Sequence, residues 1–350
     1  MTQHLESTLE ARGLVVDART EEAWEPLLGL RRYQRALLAA KHAELDELWL
    51  WLPAEPTRRA EAEAWSRDPR LGQAQVHLTS DEAELPALPR VRGGATFDAA
   101  AAAAIARGAD PQEAGFFFPP ETPGAGAALL RSLENVCDGL VDTYLNRPLS
   151  RLISRGLVKT GISPNAVTLL ACALALIGVA GIATRDYELA LAGALLFQLS
   201  AALDCVDGEL ARLTYRFSPL GARLDLTLDN VAHVLLFLAL GWAAVPVLGQ
   251  PLALGLGATA ALGAAIGFAL VYRLTFRLPE RSRDARVRAL LERLANRDIS
   301  LLVVLACAWG RPEVLLWLFA CGTHLFWGVL AWVSRRHKLS LSPQDTESPP

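Results

Sequence analysis

The stretch that decides the fold is Asp204–Asp229, DCVDGELARLTYRFSPLGARLDLTLD. Asp204 and Asp207 stand three residues apart and Asp225 and Asp229 four apart, so on helices each pair shares one face, and two such faces can converge. The setting gives the pattern its weight. Leu189 to Leu203 leads into the first pair and Val231 to Leu248 leads out of the last, both almost wholly apolar. Four carboxylates therefore stand at the ends of membrane-grade helices. An Asp at the centre of a bilayer costs roughly 2.5–3.5 kcal/mol, and less towards the interface. Arg212 supplies one cation against four anions. Acids at this spacing are what a hard divalent cation uses as oxygen ligands, so a bound metal is expected.

The pattern D-x-x-D-G-x-x-A-R-x8-G-x3-D-x3-D resembles, position for position, the signature of the CDP-alcohol phosphatidyltransferase family. Enzymes of that family are integral membrane proteins that displace CMP from a CDP-linked alcohol with the hydroxyl of a second alcohol. The resemblance implies that Asp204, Asp207, Asp225 and Asp229 hold one or two divalent ions, Mg2+ or Mn2+, with Asp229 as general base. It also implies that Gly208, Ala211, Arg212 and Gly221, with Asp207, lie against the CDP moiety. Each role has a physical reason. Gly208 and Ala211 remove side chains where a nucleotide must approach the helix. Arg212 offers a planar fork of donors suited to phosphate. A carboxylate at Asp229 needs only to reach the acceptor hydroxyl, because proton abstraction is limited first by geometry. Metal ions on a pyrophosphate neutralise the charge that builds on the leaving group. Asn230 stands where family members often carry a basic residue, which bears on the acceptor more than on catalysis.

Outside this stretch the chain reads as two parts. A net charge of −3 over 350 residues gives no case for nucleic-acid binding. Cys137, Cys172, Cys205, Cys307 and Cys321 lack metal-site spacing and look like small buried hydrophobes. Residues 1–25 have no apolar signal-peptide core, so the N-terminus is expected to stay in the cytoplasm.

Residues 1–120 read as a small cytoplasmic α/β domain. Leu30 to Glu44 carries apolar residues at helical spacing, Leu48 to Leu52 is a buried-strand signal, and Gln75 to Leu78 and Arg90 to Arg92 are further strand candidates. Asp98 to Arg107 reads as a helix capped by Thr96 or Asp98. The order of these pieces resembles the core of sugar-phosphate nucleotidyltransferases, as found ahead of the transferase domain in bifunctional inositol-phosphate cytidylyltransferase/phosphotransferase relatives. Their Gly-rich nucleotide loop is missing, and Gly93-Gly94 does not replace it, so the resemblance implies a degenerate domain with a structural or regulatory role.

Residues 121–161 read as a linker and a juxtamembrane amphipathic helix. Leu129 to Val158 places apolar residues at helical spacing among Arg131, Arg147, Arg151 and Arg155, as a helix lying in the headgroup region would, and Pro148 is expected to break or kink it. Ser163-Pro164-Asn165 opens the first membrane helix, with Val167-Thr168 following, and either a plain helix start or a nucleotide contact accounts for it. Residues 162–338 form the membrane domain, with six spans at about 165–184, 189–212, 222–247, 251–275, 297–311 and 313–334, and 339–350 form a disordered tail. Arg and Lys crowd the ends next to the acids and the segment 273–293, which puts both termini and the Asp cluster on the cytoplasmic side of the cell membrane.

The fold class expected is mainly α, a six-helix transmembrane bundle preceded by a juxtamembrane amphipathic helix and a small cytoplasmic α/β domain. The function expected is transfer of a phosphoalcohol group, with CDP-diacylglycerol as donor and a polar alcohol, inositol phosphate among the candidates, as acceptor, in phospholipid biosynthesis. The stretch from Asp138-Gly139 through Leu145-Asn146-Arg147-Pro148 looks most like the branch that handles inositol phosphates. Orientation and attraction to anionic lipid suffice to explain the charge of the Arg-rich segment; the sharper alternative is that one or two of its arginines, or Arg223 and Arg297, meet an acceptor phosphate. His233 and His324 read as core or interface histidines. Small residues such as Gly255, Gly257, Gly263 and Gly267 allow a homodimer. Two other classes compete: an ion-coupled transporter, which would favour acids near the midplane and a repeated half, and a catalytically silent membrane scaffold.

Overall fold

The computed structural model describes residues 13–133, 139–277 and 299–340. The chain divides into two compact units. The described residues of the first are 13–133, 157–161 and 212–216, and those of the second are 139–156, 162–211, 217–277 and 299–340.

The first unit is built on β1 (Gly13–Asp17), a short apolar run without helical length that sequence reasoning passed over. A small antiparallel hairpin of β2 (Pro26–Leu27) and β3 (Leu30–Arg31) leads into α1 (Arg32–His42), the core of the helix predicted over 30–44. Then come β4 (Glu47–Trp51), α2 (Pro56–Trp65), β5 (Gln75–Thr79) and β6 (Arg90–Arg92). The sheet is parallel throughout, in the order β5-β4-β1-β6, with Val15 paired to Trp49 and Trp49 to His77. Side chains alternate along a strand, so Leu14 and Val16 with Leu48 and Leu50 enter one buried cluster with Tyr33, Leu37 and Leu38 of α1. In that core the Arg35 guanidinium donates to the carbonyls of Leu27 and Leu28 at 2.8 and 2.5 Å, holding the hairpin turn.

β7 (Thr96–Phe97) and β8 (Phe117–Phe118) pair antiparallel around α3 (Ala99–Ala106) and α4 (Pro111–Ala114). Asp98, not Thr96, caps α3, accepting from the Ala101 N–H at 2.8 Å. α5 (Ala125–Ser132) follows.

The second unit is helical. α6 (Arg147–Leu157) continues from a π-helical turn, Asp142–Asn146, directly before Pro148. Pro148 has no N–H to donate and would crowd a regular turn; the widened turn absorbs this without ending the helix. α7 (Pro164–Ala183), α8 (Tyr187–Thr214), α9 (Pro219–Ala243), the short α10 (Val245–Leu248) and α11 (Gln250–Tyr272) follow, then α12 (Ile299–Ala308) and α13 (Glu313–Ser340).

Five of these are long and apolar enough to cross a membrane, over 164–183, 187–214, 219–243, 250–276 and 313–335, each within a few residues of a predicted span. The other predicted span, 297–311, is described only as α12, whose ten residues rise about 15 Å against a hydrocarbon core of about 30 Å. The Arg-rich residues 278–293, Arg297 and the tail from 341 lie outside the described residues, as does Cys137.

Close packing of α7 on α8 depends on glycine. A Cβ added at Gly178 would stand 2.5 Å from the Gly193 carbonyl oxygen, the kind of backbone approach that membrane helices use to associate. Inside, Phe197, Leu236, Phe237, Leu240 and Phe319 form one buried cluster. Outside, Ile177, Leu195, Leu262 and Leu325 are exposed, as side chains facing acyl chains must be.

Candidate active site

The site lies on α8 and α9. On α8 the residues Asp204, Asp207, Gly208 and Ala211 fall on one stripe at 100° per residue, with Arg212 at its edge. On α9 Gly221, Asp225 and Asp229 advance by single turns. The sequence starts α9 here because Ser218 caps it, its hydroxyl accepting from the Gly221 N–H at 2.8 Å, and Pro219 occupies the first turn.

The two stripes bring three of the four acids together. One carboxylate oxygen from each of Asp204, Asp207 and Asp225 lies within 4.8 Å of the other two. Three carboxylate oxygens this close could hold one divalent cation, and an all-carboxylate set suits a hard ion. Asp229 is outside this group. It is part-exposed and lines the same cavity as Asp204 and Asp225, together with Thr168, Cys172, Ser200, His233 and Ser300.

Asp207 is the deepest of the four acids at 5% exposure, and the Thr168 hydroxyl donates to its Oδ2. The helix-opening stretch thus serves the site through Thr168. Ser163 caps α7, accepting from the Ala166 N–H at 3.2 Å. Asn165 faces Gly221, where an added Cβ would meet its Oδ1 at 2.7 Å and the Ser218 hydroxyl at 2.9 Å. Gly221 is therefore small for a visible reason. Gly208, Ala211 and Arg212 are all partly buried on α8.

Glu209 was missed in sequence because it occupies a variable position of the motif. It is 1% exposed, and its carboxylate accepts from the hydroxyls of Ser150 and Ser154 at 2.6 and 2.7 Å, with the Arg147 guanidinium at 3.4 Å. Arg147 was expected on a headgroup-facing basic side. It is instead 5% exposed, because a buried carboxylate needs a cation and donors close by. The signal was present: Arg147, Ser150 and Ser154 form a polar stripe at helical spacing. The face of α6 turned outward carries Leu152, 69% exposed. Next to it Asn146, fully buried, donates to Asp142 and accepts from Gln198, both at 2.7 Å. Among the acceptor candidates that are described, Arg223 is exposed with its guanidinium 5.7 Å over the Phe276 ring.

The first unit has a second place where chemistry could gather, the carboxyl ends of its strands. The chain leaves β1 for β4 on one side and returns to β6 on the other, the topology at which open parallel sheets bind ligands. Here Asp17 receives Arg19 on both oxygens, at 2.9 and 2.8 Å, and the Arg19 guanidinium lies 3.2 Å over the Trp51 ring. Burial raises the Asp17 pKa, but the hydrogen bonds and charge of Arg19 outweigh it and hold the carboxyl below the usual range.

Residues 161–280 match the family model described as CDP-alcohol phosphatidyltransferase. The chain is 39% identical over 113 residues to a bifunctional IPC transferase and DIPP synthase of Thermococcus kodakarensis, covering 32% of this chain and 25% of that protein. It is 29% identical over 174 residues to a phosphatidylinositol phosphate synthase of Corynebacterium glutamicum, covering 49% and 77%. It is 33% identical over 136 residues to an archaetidylinositol phosphate synthase of Aeropyrum pernix, covering 39% and 64%. The matches thus span about a quarter of the bifunctional relative and larger parts of the two single-function ones.

Proposed function

We propose, from the premise that residues 161–280 are a CDP-alcohol phosphatidyltransferase domain, that the protein is a membrane enzyme moving a phosphatidyl group from CDP-diacylglycerol to a polar alcohol. The relatives named for phosphatidylinositol phosphate and archaetidylinositol phosphate synthesis favour an inositol phosphate as that alcohol. The observation that carries the reading is the convergence of Asp204, Asp207 and Asp225 from two helices, with Asp229 on the wall of the same cavity. Nothing in helix packing asks for four acids there.

In this reading Asp204, Asp207 and Asp225 hold Mg2+ or Mn2+, and Asp229 stands at the edge of that set. The bound ion supplies neutralisation of the pyrophosphate charge and polarisation of phosphorus. The side chains do the rest. Gly208, Ala211 and Gly221 keep the helix surfaces low beside the nucleotide, and Arg212 gives a phosphate its planar donors. Asp229 takes the acceptor's hydroxyl proton. The acceptor oxygen forms its bond to the phosphorus of the phosphatidyl group, and the P–O bond to CMP breaks, CMP leaving with the electron pair. The membrane-facing helices place diacylglycerol chains in lipid while the acids meet soluble acceptors at the interface, on the cytoplasmic side by the positive-inside rule.

The test is CMP release from CDP-diacylglycerol by purified protein with Mg2+ or Mn2+, across inositol phosphate, glycerol phosphate, serine and inositol. Metal-dependent release with one acceptor is expected. Asp229→Asn should lower it by about 10²–10⁴-fold, the usual contribution of a general base. Release that is indifferent to metal, or undiminished in Asp229→Asn, would sink the reading.

A further inference from the structure

We infer that His233 is a positioning residue for Asp229, fixing which carboxylate oxygen of the proposed general base faces the acceptor. The inference rests on the reading of Asp229 given above. His233 lies one turn beyond Asp229 on α9 and lines the cavity with it. Its Nδ1 is 2.8 Å from the Asp229 carbonyl oxygen and 3.4 Å from Oδ1 of the same residue. A carbonyl oxygen only accepts, so Nδ1 carries the hydrogen, donates it to the Asp229 carbonyl and presents its N–H beside the carboxylate oxygen Oδ1. The ring has little freedom to do otherwise. Its edge meets Phe197 at 5.6 Å and 83°, and it lies 6.5 Å from Phe237, both phenyl groups being almost fully buried.

The consequence is asymmetric. The three clustered acids have one another's company, and Asp207 has Thr168 besides. Asp229 stands apart from them on a cavity wall, where a carboxylate can rotate about its last bond. The Nδ1–H beside Oδ1 holds that rotation, and the proton taken from the acceptor hydroxyl goes to Oδ2. A reacting group out of place by about 1 Å loses on the order of a hundredfold in rate.

The experiment uses the full chain in lipid nanodiscs. His233→Phe keeps a ring between Phe197 and Phe237 but removes the donor; His233→Asn restores a donor at the place of Nδ1, whereas His233→Gln puts its donor further out. His233→Phe should lower kcat about 10- to 100-fold, leave the KM for CDP-diacylglycerol and the melting temperature close to wild type, and resemble His233→Gln. His233→Asn should recover most of the lost rate. Wild-type kcat in His233→Phe, or a His233→Asn protein as slow as His233→Phe, overturns the proposal. A second measurement does not need turnover. In 15N-histidine-labelled protein, the ring signal that vanishes in His233→Phe should report hydrogen on Nδ1 and should move in Asp229→Ala. An Nε2–H ring overturns the proposal whatever the activity. Absence of CMP release by the wild type counts against the transferase reading, and the ring signal still decides the contact between His233 and Asp229.

Discussion

At the scale of the residue, the acids of Asp204–Asp229 were readable because their chemistry contradicts their surroundings: carboxylates in apolar helices demand a reason. The residues beside them were not, because Thr168 and Glu209 are ordinary until a neighbouring helix supplies the partner. Thr168→Val should take the Thr168 hydroxyl from Asp207 and raise the metal concentration needed for half-maximal CMP release by about 10- to 100-fold, a net hydrogen bond to a charged group being worth about 1.5–3 kcal/mol. A metal titration that superimposes on wild type would remove Thr168 from the site. Glu209 makes a sharper case. Glu209→Ala takes the buried carboxylate away from Arg147, Ser150 and Ser154 and should cost about 3–5 kcal/mol of stability, while Glu209→Leu with Arg147→Leu should recover most of it. Unfolding in mixed micelles measures both; a double variant no better than the single would show that the pair acts through something other than charge.

At the scale of the element, apolar length located five helices to within a few residues, the apolar run Leu48 to Leu52 marked β4, and β5 and β6 stood among the further strand candidates. β1 escaped because three apolar residues carry no period of their own and its identity as the central strand depends on β4 and β6 closing on either side. The placing of Arg147 on the outward side of α6 failed for a related reason. Amphipathicity reveals that a helix has two faces and is silent on which is buried when the medium beyond is lipid, so the stripe with Arg147 turned inward to Glu209. Helix contact makes its own prediction. Gly178→Leu adds bulk where the α7 and α8 backbones already touch, and it should lower stability by about 1–3 kcal/mol or more by overpacking. A melting temperature unchanged from wild type would mean that the two helices separate at no cost.

At the scale of the whole molecule, the sequence separated an α/β part from a membrane part, and the structure divides into two units of those kinds. The first unit should answer to acid in two stages. Burial, with Lys41 beside it, holds His42 below its ordinary 6.5, where its ring stacks on Tyr215 at 5.5 Å. The unfolded chain then binds the proton first, so the stability His42 allows is complete above about pH 6.5 and falls as pH drops below it. Asp68 is held below 3.8 by the Arg70 guanidinium, so its contribution is present above that value and fades as pH falls through the lowered one. Thermal melts from pH 8 to 3 should show both declines, and His42→Gln should flatten only the upper; an unaltered upper decline would assign it elsewhere. The junction at Glu209 also bears on how the protein is made. Arg147, Ser150 and Ser154 leave the ribosome before α8 does, so the Glu209 carboxylate, 1% exposed in the end, finds a cation and hydroxyls already synthesised. Birth order thus spares the nascent helix a period with a solitary charge in lipid. Cysteine pairs at 150 and 209 should cross-link in ribosome-bound chains truncated soon after α9 emerges, well before α13 has been translated.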